Sequence, residues 1–244
     1  MTDATIALIT GANKGIGRAV AEQLAAHHLT VLVGSRDPRR GEEAAAAIRA
    51  GGGDAHPITL DVTDAATIQA AAKHIDDRFG RLDVLVNNAG ISYRRGPSLA
   101  DLDQVRAVFE TNVFGVIAVT NAMLPLLRRS PAGRIVNMSS HTGSLALMTD
   151  PGHYFSGLPA SAAYPESKSA LNALTVQYAK DLRDSGILVN AAAPGACATD
   201  FLKGLGRDVS RTAAQGAAIA VHLATLGPDG PTGGFFDDAG AVPW

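Results

Sequence analysis

Thr5-Ile6-Ala7-Leu8-Ile9-Thr10-Gly11-Ala12-Asn13-Lys14-Gly15-Ile16-Gly17 decides the fold. An apolar run stops at Gly11, and a helical pattern starts at about Ile16. A strand that becomes a helix through a glycine turn opens a strand–helix–strand unit. Glycine permits positive φ and close backbone approach. The helix start offers unpaired N–H groups and partial positive charge to a phosphate. The spacing is Gly-x-x-x-Gly-x-Gly, which differs from the Gly-x-Gly-x-x-Gly of the general dinucleotide fingerprint. An ordinary glycine-rich connection would also satisfy this stretch taken alone.

Working outward, the alternation continues. Residues 30–33 read as a second strand closed by Gly34, and 42–49 as an Ala-rich helix ended by Gly51-Gly52-Gly53. A third strand follows at 58–60. Ile68, Ala72, Ile75 and Phe79 then mark one face of a helix. Residues 82–86 read as a fourth strand, and 103–129 as a long helix that Pro125 is expected to bend. Strands at 134–138 and 187–192, helices around Tyr164 and over 212–226, and a short strand at 233–236 complete the series. This order predicts an α/β fold: a single doubly wound, Rossmann-like parallel sheet of about seven strands with helices on both faces. The 244 residues suit one domain, 1–244. In such sheets ligands lie outside the C-terminal strand ends. Gly11, Ser35-Arg36, Asp61, Asn88, Ser139-Ser140 and Pro194-Gly195 fall there.

The net charge is −2 and no long basic run occurs, so nucleic acid and anionic membranes are poor partners. Cys197 is the only cysteine, which rules out an internal disulfide and fits a reducing compartment. No run of eighteen apolar residues and no basic leader region is apparent, so neither membrane span nor signal peptide is expected, and a cytoplasmic location is. The seven histidines show no ligand spacing, so no metal is expected.

Tyr164-Pro165-Glu166-Ser167-Lys168 carries the chemistry. Four residues apart on a helix, Tyr164 and Lys168 share one face. A phenol normally keeps its proton to about pH 10. A neighbouring ammonium favours the phenolate and makes the pair an acid–base group usable near neutral pH. A plain surface pair has the same spacing, so the weight comes from the rest of the chain.

The motifs together resemble the short-chain dehydrogenases/reductases. They run in order: Thr-Gly-x-x-x-Gly-x-Gly at 10–17, Asn87-Asn88-Ala89-Gly90, Asn112 in Thr-Asn-Val-Phe-Gly, Ser139-Ser140, Tyr164 with Lys168, and Pro194-Gly195 with Thr199. Gly-Ala-Asn-Lys-Gly-Ile-Gly and Ser35-Arg36-Asp37 are most similar to the carbonyl-reductase type. The resemblance implies a catalytic set of Asn112, Ser140, Tyr164 and Lys168. Tyr164 would be the acid, and Lys168 would tune it and hold the nicotinamide ribose. Ser140 would bond the substrate oxygen, and Asn112 would hold a water linking Lys168 to solvent. It likewise implies cofactor contacts at Gly11, Asn13, Lys14, Gly15, Ile16, Gly17, Arg36, Asp61, Val62, Asn88, Ala89, Gly90, Tyr164, Lys168, Pro194, Gly195 and Thr199. Pro165 departs from the small residue common after the tyrosine, and is tolerable if the helix begins near Ala162.

Lys14 and Arg36 are cations where a 2′-phosphate would sit, which favours NADP(H) over NAD(H). Asp37 complicates this, because an acidic residue at that strand end would bind the ribose hydroxyl instead. The expected function is NADPH-dependent hydride transfer to a ketone or aldehyde, reversible as alcohol dehydrogenase. The rival readings are an NAD-linked alcohol dehydrogenase working oxidatively and a non-catalytic NADP(H) sensor. Residues 141–163 form an insert bearing Leu145, Leu147, Met148, Tyr154, Phe155 and Leu158. It is expected to wall a pocket for an apolar carbonyl or alcohol substrate, or else to pack locally. Cys197 and residues 201–211 are expected to form the opposite wall, with the thiol inert. A homo-oligomer, dimer or tetramer, is compatible with the resemblance.

Overall fold

The computed structural model describes residues 4–93, 95–203 and 209–244. Eight strands form one sheet in the order β3-β2-β1-β4-β5-β6-β7-β8. The chain runs β1 (Ile6–Ile9), α1 (Gly15–Ala26), β2 (Thr30–Ser35), α2 (Pro38–Ala50), β3 (Asp54–Thr59), α3 (Ala65–Phe79) and β4 (Val84–Asn87). It continues through α4 (Leu102–Phe109), α5 (Gly115–Leu127), β5 (Arg134–Met138), α6 (Leu145–Thr149), α7 (Tyr164–Asp181) and β6 (Leu188–Ala192). Short α8 (Asp200–Lys203), α9 (Ala213–Ala224), β7 (Phe235–Asp237) and β8 (Gly240–Ala241) end it. Strands β1 to β7 pair in parallel, and strand order reverses at β1, between β2 and β4.

Both faces of the sheet are apolar, as a parallel sheet covered on both sides requires. Ala7 and Ile9 point into one core with Val20 and Leu24 of α1 and Ile219 of α9. Ile6 and Leu8 point into the other with Ile75 of α3 and Val119 and Met123 of α5. Beneath the strand ends, a buried polar chain ties elements together. Asn87 donates to Asn137 (2.9 Å) and Thr120 (3.1 Å), and Asn137 donates to Thr175 (2.9 Å). The two asparagines are register partners on β4 and β5.

Several expected bounds shift for identifiable reasons. β2 runs through Gly34 to Ser35, because Gly34 lies against β1: a side chain there would stand 2.7 Å from the Ile9 carbonyl. β3 begins earlier, at Asp54, and carries Pro57, which an edge strand tolerates. The sheet has eight strands rather than seven, and β8 is antiparallel, returned from β7 by a tight turn. α4 and α5 form one rod, joined by a wide π-type turn at Glu110–Phe114. Leu102–Leu127 is long and apolar enough to cross a membrane by length and mean hydropathy alone. Here Val113, Val116, Val119, Met123 and Leu126 along it are buried.

Candidate active site

A cleft of about 1160 Å³ opens at the C-terminal ends of the parallel strands. At one end the glycine turn is a cradle that side chains would fill. Gly11 and Gly15 have φ of 63° and 58°. A Cβ on Gly17 would stand 2.2 Å from Asn88 Nδ2 and 2.8 Å from the Gly11 carbonyl. Thr10 and Asn88 lock this turn to β4. Thr10 Oγ1 accepts from the amides of Asn88 and Ala89 (both 2.9 Å), and Asn88 Nδ2 donates to the Thr10 carbonyl at 2.8 Å. Open backbone at the start of α1 fits a pyrophosphate. Gly17→Ala is therefore expected to cost about 2–4 kcal/mol by overpacking and loss of the Asn88 bonds. It is also expected to weaken nucleotide binding; urea melts and cofactor titration measure the two effects.

Lys14, Arg36, Asp61, Val62, Asn88, Ala89 and Gly90 all border the cleft, as do Asn13, Ile16, Pro194, Gly195 and Thr199. Lys14 Nζ pairs with Asp200 at 3.2 Å. Arg36 is exposed and forms no hydrogen bond or ion pair among the described residues. Asp37 is placed differently from the ribose-binding alternative. Its Oδ1 caps α2 by accepting from the Arg39 and Arg40 amides, and its Oδ2 lies 3.4 Å from Arg40 Nε. Asp61 Oδ1 is taken by Thr63, through both its amide and its hydroxyl.

At the other end stand Ser140, Tyr164 and Lys168, all lining the cleft. Ser139 and Ser140 point apart. Ser139 Oγ donates to buried Asn172 (2.5 Å), whereas Ser140 Oγ bonds Thr142 Oγ1 (3.0 Å). Tyr164 begins α7 itself, two residues later than expected, because Ala163 has φ 71° and ψ −53°. A tight turn results, with the Tyr164 amide bonding the Ala162 carbonyl at 2.9 Å. Such a conformation costs on the order of 1–3 kcal/mol in a non-glycine residue. Pro165 sits in the first helical turn, where its missing N–H has no helical partner to lose.

Lys168 is buried, with Nζ donating to the Met138 carbonyl (2.7 Å) and lying 5.6 Å from the Tyr164 ring centroid. Burial alone pushes its ammonium down from 10.5 to about 8. Asn112 sits in the π-type turn and does not line the cleft. Its Oδ1 accepts from the Ile91 amide, and its Nδ2 donates to the Ile91 carbonyl and Ser167 Oγ (2.9, 2.9 and 3.0 Å). Both ends of its amide are thus occupied, so its side chain is a brace between the β4 loop and α7.

Met148, Tyr154, Phe155 and Leu158 of the insert line the cleft, while Leu147 packs on the Phe235 cluster and Leu145 faces outward. Phe201 and Leu202 border it opposite, the Phe201 ring 5.5 Å from that of Tyr164. Residues 204–208 of the expected second wall lie outside the described residues. Cys197 is buried against Gly216, and burial raises its thiol, as befits a packing residue.

Residues 5–210 match the family described as short chain dehydrogenase. This chain is a short-chain dehydrogenase. It is 40% identical over 227 residues to the short-chain dehydrogenase anuI of Penicillium roqueforti, covering 91% of this chain and 89% of that protein. The NADPH-bound carbonyl reductase from chicken fatty liver matches with a TM-score of 0.85 at 28% identity, covering 98% of both chains. A gluconate 5-dehydrogenase from Burkholderia cenocepacia, solved with NADP and tartrate, also scores 0.85, at 27% identity over 96% of this chain and 93% of that one. The short-chain dehydrogenase is thus an NAD(P)-dependent oxidoreductase. Three of its cleft-lining or supporting residues escaped the sequence reading. Arg40 borders the cleft beside Asp37; helical spacing from the Asp37 cap would have located it. Asn172 and His141 carry no motif and become visible only through their neighbours.

Proposed function

We propose that this short-chain dehydrogenase reduces a ketone or aldehyde with NADPH, and that the reaction runs in reverse as alcohol oxidation. The observation that carries this reading is the meeting, at one end of a nucleotide-sized cleft, of Ser140 and Tyr164 above the buried Lys168. The NADPH-bound carbonyl reductase of the same architecture supports it. When bound, the reduced cofactor supplies the hydride. The protein supplies position and charge. Gly11, Gly15 and Gly17 leave room for the pyrophosphate, and Pro194, Gly195 and Thr199 border the nicotinamide end. Ser140 Oγ donates to the substrate oxygen, where negative charge grows as the carbonyl is reduced. Tyr164 delivers its phenolic proton to that oxygen. Lys168 favours the proton-losing form of Tyr164 and reaches the ribose. Asn112 braces the turn from which a water links Lys168 to solvent; wide turns of this type are frequent at functional sites.

The chain acts as one unit, and residues 141–163 wall the substrate end with apolar side chains. A largely apolar small-molecule carbonyl fits that lining. Exposed Leu99, Leu102 and Phe114 on and beside the α4–α5 rod support self-association as a dimer or tetramer.

NADP(H) is favoured over NAD(H) because Arg36 offers an unengaged planar fork at the cleft edge while Asp37 is committed to capping. A charge-assisted hydrogen bond is worth about 1.5–3 kcal/mol, or roughly ten- to a hundredfold in affinity. Arg36→Ala is expected to weaken NADPH binding by about that factor and to leave NADH nearly untouched. Fluorescence titration with both nucleotides tests it; an unchanged preference removes the basis for choosing NADP.

A further inference from the structure

His141 directly follows Ser140, so its Cα lies about 3.8 Å from that of the residue proposed to hold the substrate oxygen. His141 lines the main cleft and also a smaller cavity of about 190 Å³ bordered by Gly195, Arg211, Asp237 and Asp238. Three contacts fix its ring. Phe155 of the insert stacks on it at 5.4 Å and 19°, Phe235 lies tilted at 6.4 Å, and Nε2 meets Asp237 Oδ2 at 2.8 Å. Asp237 Oδ1 accepts from the Ala239 amide. Burial alone would raise this carboxyl, yet the bonds from His141, Ala239 and Gly240 outweigh burial and hold it below its usual value. An ionised carboxylate only accepts, so Nε2 carries the hydrogen, and in the neutral ring Nδ1 is left as a lone-pair acceptor. Nδ1 has no hydrogen-bond partner among the described residues, and no buried side-chain nitrogen there lacks one. Nδ1 therefore keeps contact with open space, at a residue that borders both cavities.

We propose that His141, oriented by Asp237, is a specificity-determining residue: its Nδ1 accepts a hydrogen bond from a substrate hydroxyl one or two carbons from the reacting carbonyl. The preferred substrates are then hydroxy-carbonyl compounds, or the matching diols in the oxidative direction. The inference rests on the carbonyl-reductase reading. Asp237 acts through His141 and is a positioning residue. Asp238 does not compete, because its carboxylate pairs with Arg211. A site that bonds a hydroxyl discriminates against analogues lacking one. Because the ring keeps some solvent contact, the effect here is on the order of tenfold rather than the far larger factors of sealed pockets.

The test compares acetophenone, α-hydroxyacetophenone and α-methoxyacetophenone, followed by NADPH absorbance. The methyl ether matches the hydroxyl in electron withdrawal and lacks its donor. The native enzyme is expected to prefer hydroxyl over methoxy by about tenfold in kcat/KM, chiefly through KM. In His141→Phe, which keeps a flat ring against Phe155, that ratio should fall to about one; in Asp237→Asn it should fall part-way. Equal hydroxyl and methoxy values in the native enzyme, or a ratio that survives His141→Phe, overturn the proposal. The native comparison stands even if a variant fails to fold. Should no ketone turn over, the reductase reading fails separately. Ketone binding to the NADPH complex, read by nicotinamide fluorescence, then decides His141 alone: a hydroxyl preference in Kd lost in His141→Phe upholds it, and none refutes it.

Discussion

Tyr164→Phe is expected to lower carbonyl reduction by about 10²–10⁴-fold while NADPH still binds. The change removes one oxygen and keeps the ring, so the contact with Phe201 and the helix start are preserved. The loss should appear in kcat and in kcat/KM alike, because the phenolic proton is needed only as charge builds on the substrate oxygen. Stopped-flow absorbance gives the rate, and nicotinamide fluorescence gives the cofactor Kd. Retained turnover would show that another group delivers the proton. Loss of cofactor binding together with turnover would show that the substitution had disturbed the cleft instead.

The fold was legible in the sequence because its cause is local and repeated. Each apolar run of a parallel strand ends in glycine or a polar residue, and an Ala-rich helical period follows. What stayed out of reach depends on contacts between segments distant in sequence. β2 extends past Gly34 because β1 lies against that glycine, a fact about packing and not about residues 30–35. β8 exists only because the chain turns back on β7, and two residues carry no period to detect. The start of α7 moved from Ala162 to Tyr164 because Ala163 takes a left-handed conformation that alanine does not advertise.

The site divides along the same line. The glycine turn, Ser140, Tyr164 and Lys168 were expected together from strand-end position and from the resemblance, and the structure lines one cleft with them. Asn112 was assigned a water; in the structure its Nδ2 donates to Ile91 and Ser167 and its Oδ1 accepts from the Ile91 amide. The choice between Ser139 and Ser140 rested on resemblance. Its physical counterpart is Asn172, a residue on α7 that engages the first hydroxyl and leaves the second to bond Thr142. His141 and Asp237 lie 96 residues apart, and no sequence pattern links them.

Lys168→Met is expected to abolish turnover and at the same time stabilise the folded protein at pH 7. In the unfolded chain this amine keeps its proton to about its ordinary 10.5; in the folded chain it does so only to about 8, because it is buried. Between those values the unfolded chain binds more protons, so stability rises with pH across that window. Below pH 8 both states are protonated, and the folded state carries the full cost of a buried ammonium, on the order of 3 kcal/mol. The Met138 carbonyl and the Tyr164 ring offset part of that cost. Methionine matches the length of the stem and removes the charge, but leaves the carbonyl without its donor, a loss of about 1 kcal/mol. The net gain at pH 7 should therefore be about 1–2 kcal/mol, read from the urea midpoint of the cofactor-free protein. The rise in stability between pH 8 and 10.5 should be smaller in the variant than in the native chain. A variant less stable at pH 7 would mean that the ammonium is held by more than one carbonyl and one ring. It would also remove the view of this lysine as a cation kept for chemistry at the expense of the fold.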